Sequence, residues 1–194
     1  MKRLLILFGG AIVLFALTGC QKPARTVPPI SGVEVIIEGG GEFPQFLVGR
    51  WKDEKKGWEI VFEPDGSISW AIHTIARVRV KPGQVTTVPM RRGGKGVFEA
   101  GQWAVQYAPE NRELTVEIVL EHYRAEMGDQ ALEGSSQDIF IGQVSEDGQE
   151  WRADWFAFPE YVVSTDIYDN YKLPVDYNYN PRSELVFKKI VESK

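Results

Sequence analysis

The chain has 194 residues, 43% hydrophobic and 25% charged, with a formal net charge of −5, one cysteine and two histidines. An acidic chain with no basic stripe argues against partnership with nucleic acid and against electrostatic docking on anionic lipid. A single cysteine excludes a disulfide framework, two histidines supply no zinc set, and the sequence implies no cofactor.

Met1-Lys2-Arg3 forms a short positive head, and residues 4–17, "LLILFGGAIVLFAL", follow without a polar side chain. A spanning helix needs about 20 apolar residues to cross a ~30 Å hydrocarbon core. Fourteen is too few and suits the apolar region of a secretory signal. Leu17-Thr18-Gly19-Cys20 then resembles the lipobox of bacterial lipoproteins. That resemblance implies cleavage after Gly19, a thioether-linked diacylglycerol on Cys20 and an acylated new amino terminus. Stable attachment takes two or more chains, each contributing about 0.8 kcal/mol per buried CH₂. Cys20 is therefore expected to be a lipidation site that holds the protein to a membrane, not a catalyst. By analogy with lipoprotein sorting in Gram-negative bacteria, Gln21 rather than Asp at the next position implies the outer membrane, facing the periplasm.

Residues 1–19 carry two basic and no acidic side chains, so the expected mature chain has 175 residues and a charge of −7. That is one domain's worth, able to bury roughly 70% of its unfolded surface without crosslinks. Residues 20–45 contain four prolines and the run Gly39-Gly40-Gly41, a composition that resists packing. They are expected to form a tether, with an edge strand possible at 33–38.

From residue 46 to 194 the apolar signal has period two, which predicts strands. Trp58, Ile60 and Phe62 alternate with polar neighbours, Pro64-Asp65-Gly66 makes a turn, and Ile68, Trp70 and Ile72 resume the inward phase. His73 falls in the opposite phase and is expected to face water. "VKPGQV" at 80–85 closes another turn, and Arg91-Arg92-Gly93-Gly94-Lys95 reads as a solvated turn rather than a phosphate-binding loop. Trp103, Val105 and Tyr107 face Leu114, Val116, Ile118 and Leu120 across a polar loop. Residues 125–134 could hold one helical turn. Ser145-Glu146-Asp147-Gly148 joins two more strands, and "SELVFKKIV" at 183–191 is the last.

This pattern predicts an all-β domain, an antiparallel up-and-down meander of about eight or nine strands. Residues 67–80, if one strand, would be roughly 46 Å long at ~3.3 Å per residue, so the strand must coil or bend. Long coiled strands favour a barrel over the alternative, a β-sandwich. Gly49-Arg50-Trp51 on the first strand of the body resembles the Gly-x-Trp of the lipocalin-like (calycin) β-barrels. The resemblance implies that Trp51 plugs the closed end and that Lys188 or Lys189 covers it.

Among candidate site residues, His122 and Arg124 are in phase with Leu120 and are expected on the apolar side as their strand ends, either as a polar pair at the mouth of a cavity that fixes a ligand's head group or with the histidine hydrogen-bonded at a sheet rim. Asp154 lies among apolar neighbours with its facing undecided. Tyr168, Tyr171, Tyr177 and Tyr179, in "DIYDNYKLPVDYNYNP", sit among carboxylates and amides that suit a saccharide, or else belong to a loop that caps one barrel end with its tyrosines packed edge-on. The EF-hand order is missing there. No Gly-x-Ser-x-Gly elbow occurs, so no catalytic residue is expected. The reading favours a small apolar ligand or a glycan inside the barrel. The alternative is an assembly lipoprotein that offers a strand edge or the tyrosine-rich loop to another envelope protein.

Overall fold

The computed structural model describes residues 32–91, 93–165 and 182–191. The period-two segments all become strands, and the protein is all-β. The strands are β1 (Val33–Ile37), β2 (Gly49–Asp53), β3 (Glu59–Phe62), β4 (Ile68–His73), β5 (Val78–Val80) and β6 (Val85–Pro89). They continue with β7 (Lys95–Ala100), β8 (Trp103–Ala108), β9 (Glu113–Met127), β10 (Gln130–Val144), β11 (Glu150–Thr165) and β12 (Arg182–Ile190).

All twelve belong to one mixed sheet, ordered β1-β8-β9-β10-β11-β12-β2-β3-β4-β5, with β6 and β7 branching from β9. Chain neighbours pair antiparallel from β2 to β5 and from β8 to β12, as a meander requires, and β12 returns to lie beside β2. The ladder does not close into a barrel. The sheet forks at β9, where β8 takes the first part of the strand and β7 the second, and no ladder joins β5 to β6. The two ends of the coiled sheet still touch. The backbone of Gly32 lies against Pro82 and Gly83, and that of Gly66 against the side chains of Val35 and Phe43.

Residues 33–37 form the edge strand allowed for at 33–38: β1 stands at the end of the strand order, paired only with β8 and parallel to it, and Val33 and Phe43 are buried against the core. Two expectations change. Residues 67–80 form a hairpin, not one strand, reversing through Ala76 and Arg77, both at positive φ. Residues 125–134 hold no helical turn: they continue β9 and β10 around a tight reversal at Gly128-Asp129.

Inward side chains from every part of the sheet make one core. Trp51, Trp58, Trp103 and Trp151 are fully buried in it with Phe98, Phe140 and Phe187. An aromatic side chain buries about 200 Å², so at ~25 cal/mol/Å² each contributes up to about 5 kcal/mol. Trp58 packs edge-on to Phe140, with centroids 5.0 Å apart. Phe140 in turn meets Phe187 at 5.7 Å, and Phe187 stacks on Trp151 at 4.7 Å. These rings form a continuous aromatic column through the interior.

Candidate functional site

Two β-bulges decide which side chains enter the interior. Phe62 pairs with Ile68 but Val61 pairs with Trp70, so Ser69 is an extra residue on β4. An extra residue reverses the side-chain phase beyond it. Ile68 points in, and after the bulge Ala71 and His73 point in while Trp70 turns outward. Outside, Trp70 lies under two guanidinium groups, Arg79 at 4.2 Å and Arg50 at 5.6 Å. His73, expected at the surface, is 1% exposed.

Beneath His73 lies β10, whose inward residues include Ser136, Asp138 and Phe140. Asp138 is as buried as His73 and gathers three donors. His73 Nε2 stands 2.9 Å from its Oδ2, Ser136 Oγ donates to the same oxygen at 2.6 Å, and Trp155 Nε1 donates to Oδ1 at 2.8 Å. The backbone N–H of Ile75 donates to His73 Nδ1 at 3.1 Å. Nδ1 must therefore be the accepting nitrogen, and Nε2 carries the proton that faces Asp138. The Trp58 ring closes over the imidazole at 4.7 Å, and Lys56 Nζ sits 5.9 Å from the Trp155 ring. The indole N–H groups of Trp58 and Trp151 are buried and meet no acceptor among the described residues.

The chemistry of this cluster follows from its bonds. Both imidazole nitrogens are engaged, and the Ser136 hydroxyl is spent on the carboxylate instead of the imidazole. A nucleophile-to-base contact is thus missing from this His/Asp/Ser set. The arrangement holds β4, β10 and β11 together through one acceptor group.

The second bulge places the residues expected at a cavity mouth. Ala100 pairs with Leu120 but Glu99 with His122, and on the other flank Ser136 pairs with Leu120 but Gly134 with Tyr123. Glu121 is the extra residue. Beyond it Tyr123 and Ala125 face the core, and His122 and Arg124 face outward, against the expected phase. His122 Nε2 lies 3.0 Å from Glu133 Oε1, and Arg124 Nη1 donates to Glu133 Oε2 at 2.7 Å. These two hydrogen bonds, His122 first, hold the Glu133 carboxyl below the usual carboxylate range. Glu99 stands 3.8 Å from His122 Nδ1, so acidic and basic side chains are bound to one another on an open hollow that Tyr161 also borders.

At the other end of the core, Trp51 is fully buried and donates Nε1–H to Leu47 O at 2.8 Å. Of the two lysines considered for its cover, Lys189 lies over it, with Nζ 5.9 Å from the ring and donating to Phe46 O at 2.7 Å. Gly49 has φ +116°, a conformation that a side chain would strain. Asp154 faces outward and receives both Nε and Nη2 of Arg182, at 2.9 and 2.8 Å. Cys20, Tyr168, Tyr171, Tyr177 and Tyr179 lie outside the described residues.

Sequence reasoning missed His73, Ser136, Asp138 and Trp155 as a group. The only signal for them is an apolar residue in both phases of β4, which marks a bulge without saying where it falls. No family model, no curated protein and no solved structure matches the chain.

Proposed function

We propose that this chain is a lipid-anchored protein of a bacterial cell envelope, and that its lipocalin-like β-domain binds another envelope protein on its outer surface. The anchor is Cys20, supported by the charged head, the fourteen-residue apolar stretch and the Leu-Thr-Gly-Cys box. The lipocalin-like reading rests on Gly49 and Trp51 with the lysine over the indole.

The observation that carries the choice of partner is the aromatic column. Where a ligand-holding barrel has a hollow, Trp58, Phe140, Phe187 and Trp151 meet ring to ring. A small apolar ligand or a glycan held inside would have to displace them. The outer face is better suited to a partner. Phe158 is 46% and Ile141 37% exposed, and they share outward rows of β10 and β11 with Ile139 and Phe156. Exposed apolar side chains gathered on one face mark contact surfaces.

The test is photocrosslinking from position 158 of the full-length protein in intact cells, with native mass spectrometry of the extracted protein alongside. One dominant protein adduct and no retained small molecule is the expected pair of results. A stoichiometric co-purifying ligand with no adduct would return the function to the interior. The anchor has its own readout: Cys20→Ser is expected to lose fatty-acid labelling and membrane retention. A free thiol at Cys20 in the native protein would remove the anchor from the reading.

A further inference from the structure

Strand β6 lies at an edge of the sheet, paired only with β7. Its pairing is Val85 with Glu99 through to Pro89 with Lys95. The flanking bonds, Ala100 N–H to Gln84 O at 3.0 Å and Met90 N–H to Gly94 O at 3.2 Å, place the even-numbered residues of β6 in the hydrogen-bonded pairs. The N–H and C=O of Val85 and Thr87, and the C=O of Pro89, therefore point away from β7. Among the described residues nothing meets them. Natural edges are guarded by charge, proline, bulges or a covering element. Residues 84–90, "QVTTVPM", carry no charge, β6 has no bulge, its one proline stands at its last residue, and Val85 is 64% exposed.

We propose that β6 is a contact between two copies of this chain, its strands pairing antiparallel about a two-fold axis at Thr87. An isologous contact of this kind must be complementary to itself, and β6 is. Thr87 N–H meets the Thr87 carbonyl of the second copy, Val85 N–H meets its Pro89 carbonyl, and symmetry repeats both. Every outward donor is used. Pro89, which has no N–H, falls at the end of the ladder, so the Val85 carbonyl opposite it is left to solvent at an exposed position. A slip that moves the proline inward puts the missing bond in the middle of the ladder, so the proline disfavours that slip.

The flanking charges agree in sign. On β7, Glu99 stands beside Val85 and Lys95 beside Pro89, both exposed on the outer face. Two-fold pairing puts Glu99 of one copy in the same row as Lys95 of the other, about 14 Å away across three strand spacings. That exceeds the ~8 Å screening length at physiological salt, so the charges orient the approach and do not hold it. A parallel pairing would align glutamate with glutamate. Two acidic molecules repel one another, and β6 itself adds no charge to that repulsion. The contact is small, in the class of weak and transient interfaces. Confinement of both copies to one membrane plane would raise their effective concentration; this last point rests on the anchored reading, and the pairing geometry does not.

The test is disulfide capture in membranes from cells making the full-length chain. In the proposed register two copies of Thr87→Cys lie about 5.5 Å apart at Cα, within disulfide reach. Val85→Cys or Pro89→Cys alone would be about 14 Å from its counterpart, out of reach, and the two combined in one chain are again in reach. Mild oxidation is expected to yield a dimer from T87C and from the V85C/P89C chain, and none from V85C or P89C singly. No dimer from T87C, equal dimer from all three single variants, or capture of a different protein instead would overturn the pairing. Thr87→Lys, which sets two cations face to face on a solvent-exposed position, is expected to leave the extracted protein monomeric with an unchanged Tm. A dimer from the unsubstituted chain would show an unmodified Cys20, overturning the anchor and not the β6 contact. Cys20→Ser/Thr87→Cys then reads the contact by itself.

Discussion

Asp138→Ala tests the reading that one carboxylate joins three strands. The substitution strands three donors in a site 1% exposed: His73 Nε2, Ser136 Oγ and Trp155 Nε1. A buried donor left without an acceptor costs about 1–3 kcal/mol. The serine hydroxyl can rotate toward another acceptor, so two fixed donors set the scale, and the lost side-chain volume adds to it. The expected cost is about 3–5 kcal/mol, against a typical total stability of about 5–15 kcal/mol. Asp138→Asn keeps one oxygen. Placed at the Oδ2 position it still accepts from His73 and Ser136, and its amide then confronts the Trp155 N–H. A cost of about 1–3 kcal/mol is expected. With His73→Phe already present, Asp138→Ala should cost about 1–2 kcal/mol less than it does alone, because the two residues share one network. The assay is urea unfolding of the full-length protein in detergent, followed by tryptophan fluorescence. An Asp138→Ala midpoint within about 0.5 kcal/mol of the parent, the range of an ordinary surface change, would refute the reasoning.

Gly142→Ala would place a Cβ 1.8 Å from Arg152 O, so the β10–β11 ladder must part; loss of about 3 kcal/mol or more is expected. Gly39→Ala meets open space and should cost only the roughly 1 kcal/mol of its φ of +76°, so equal melting temperatures for the two variants would contradict the close approach. Burial first, then Tyr161 and Asp138, pushes the Tyr123 phenol up to about 12. The unfolded chain releases that proton near pH 10. The native state therefore holds the extra proton between pH 10 and 12: stability from this group is intact below pH 10 and is lost as pH rises through the window. Tyr123→Phe should show a shallower fall of Tm over that window, and identical slopes would exclude the effect. Lys189→Met removes the bond to Phe46 O and the cation over Trp51, a loss of about 1–2 kcal/mol readable by the same urea titration.

The strands themselves were legible because apolar alternation survives wherever a ladder is regular. Trp58, Ile60 and Phe62, and the facing set from Trp103 to Leu120, enter the core in the phase that the residues predict. What was not legible is where a strand takes an extra residue. Ser69 and Glu121 each reverse every side chain beyond them, and a β-bulge has no fixed local signature. Both histidines are casualties of this: His73 moves from surface to interior and His122 from the apolar face to the outer one. The candidate site was invisible for a second reason. His73 and Asp138 are 65 residues apart, and only the coiling of the sheet brings them together. At β1 the signal was weaker, since its five residues lie between proline- and glycine-rich flanks that read as tether, and alternation there supports an edge strand only.

The backbone of β11 passes through the space that a side chain would occupy at Gly134 and at Gly142, eight residues apart on β10. Such a pair works as two notches. In the native arrangement an offset of one residue would set a side-chain-bearing position under each crossing point, a steric cost that the aligned hairpin avoids. The register in which both crossings fall on glycine is the one that buries Asp138. A polar group too costly to bury alone is delivered to its three donors by a constraint that involves none of them.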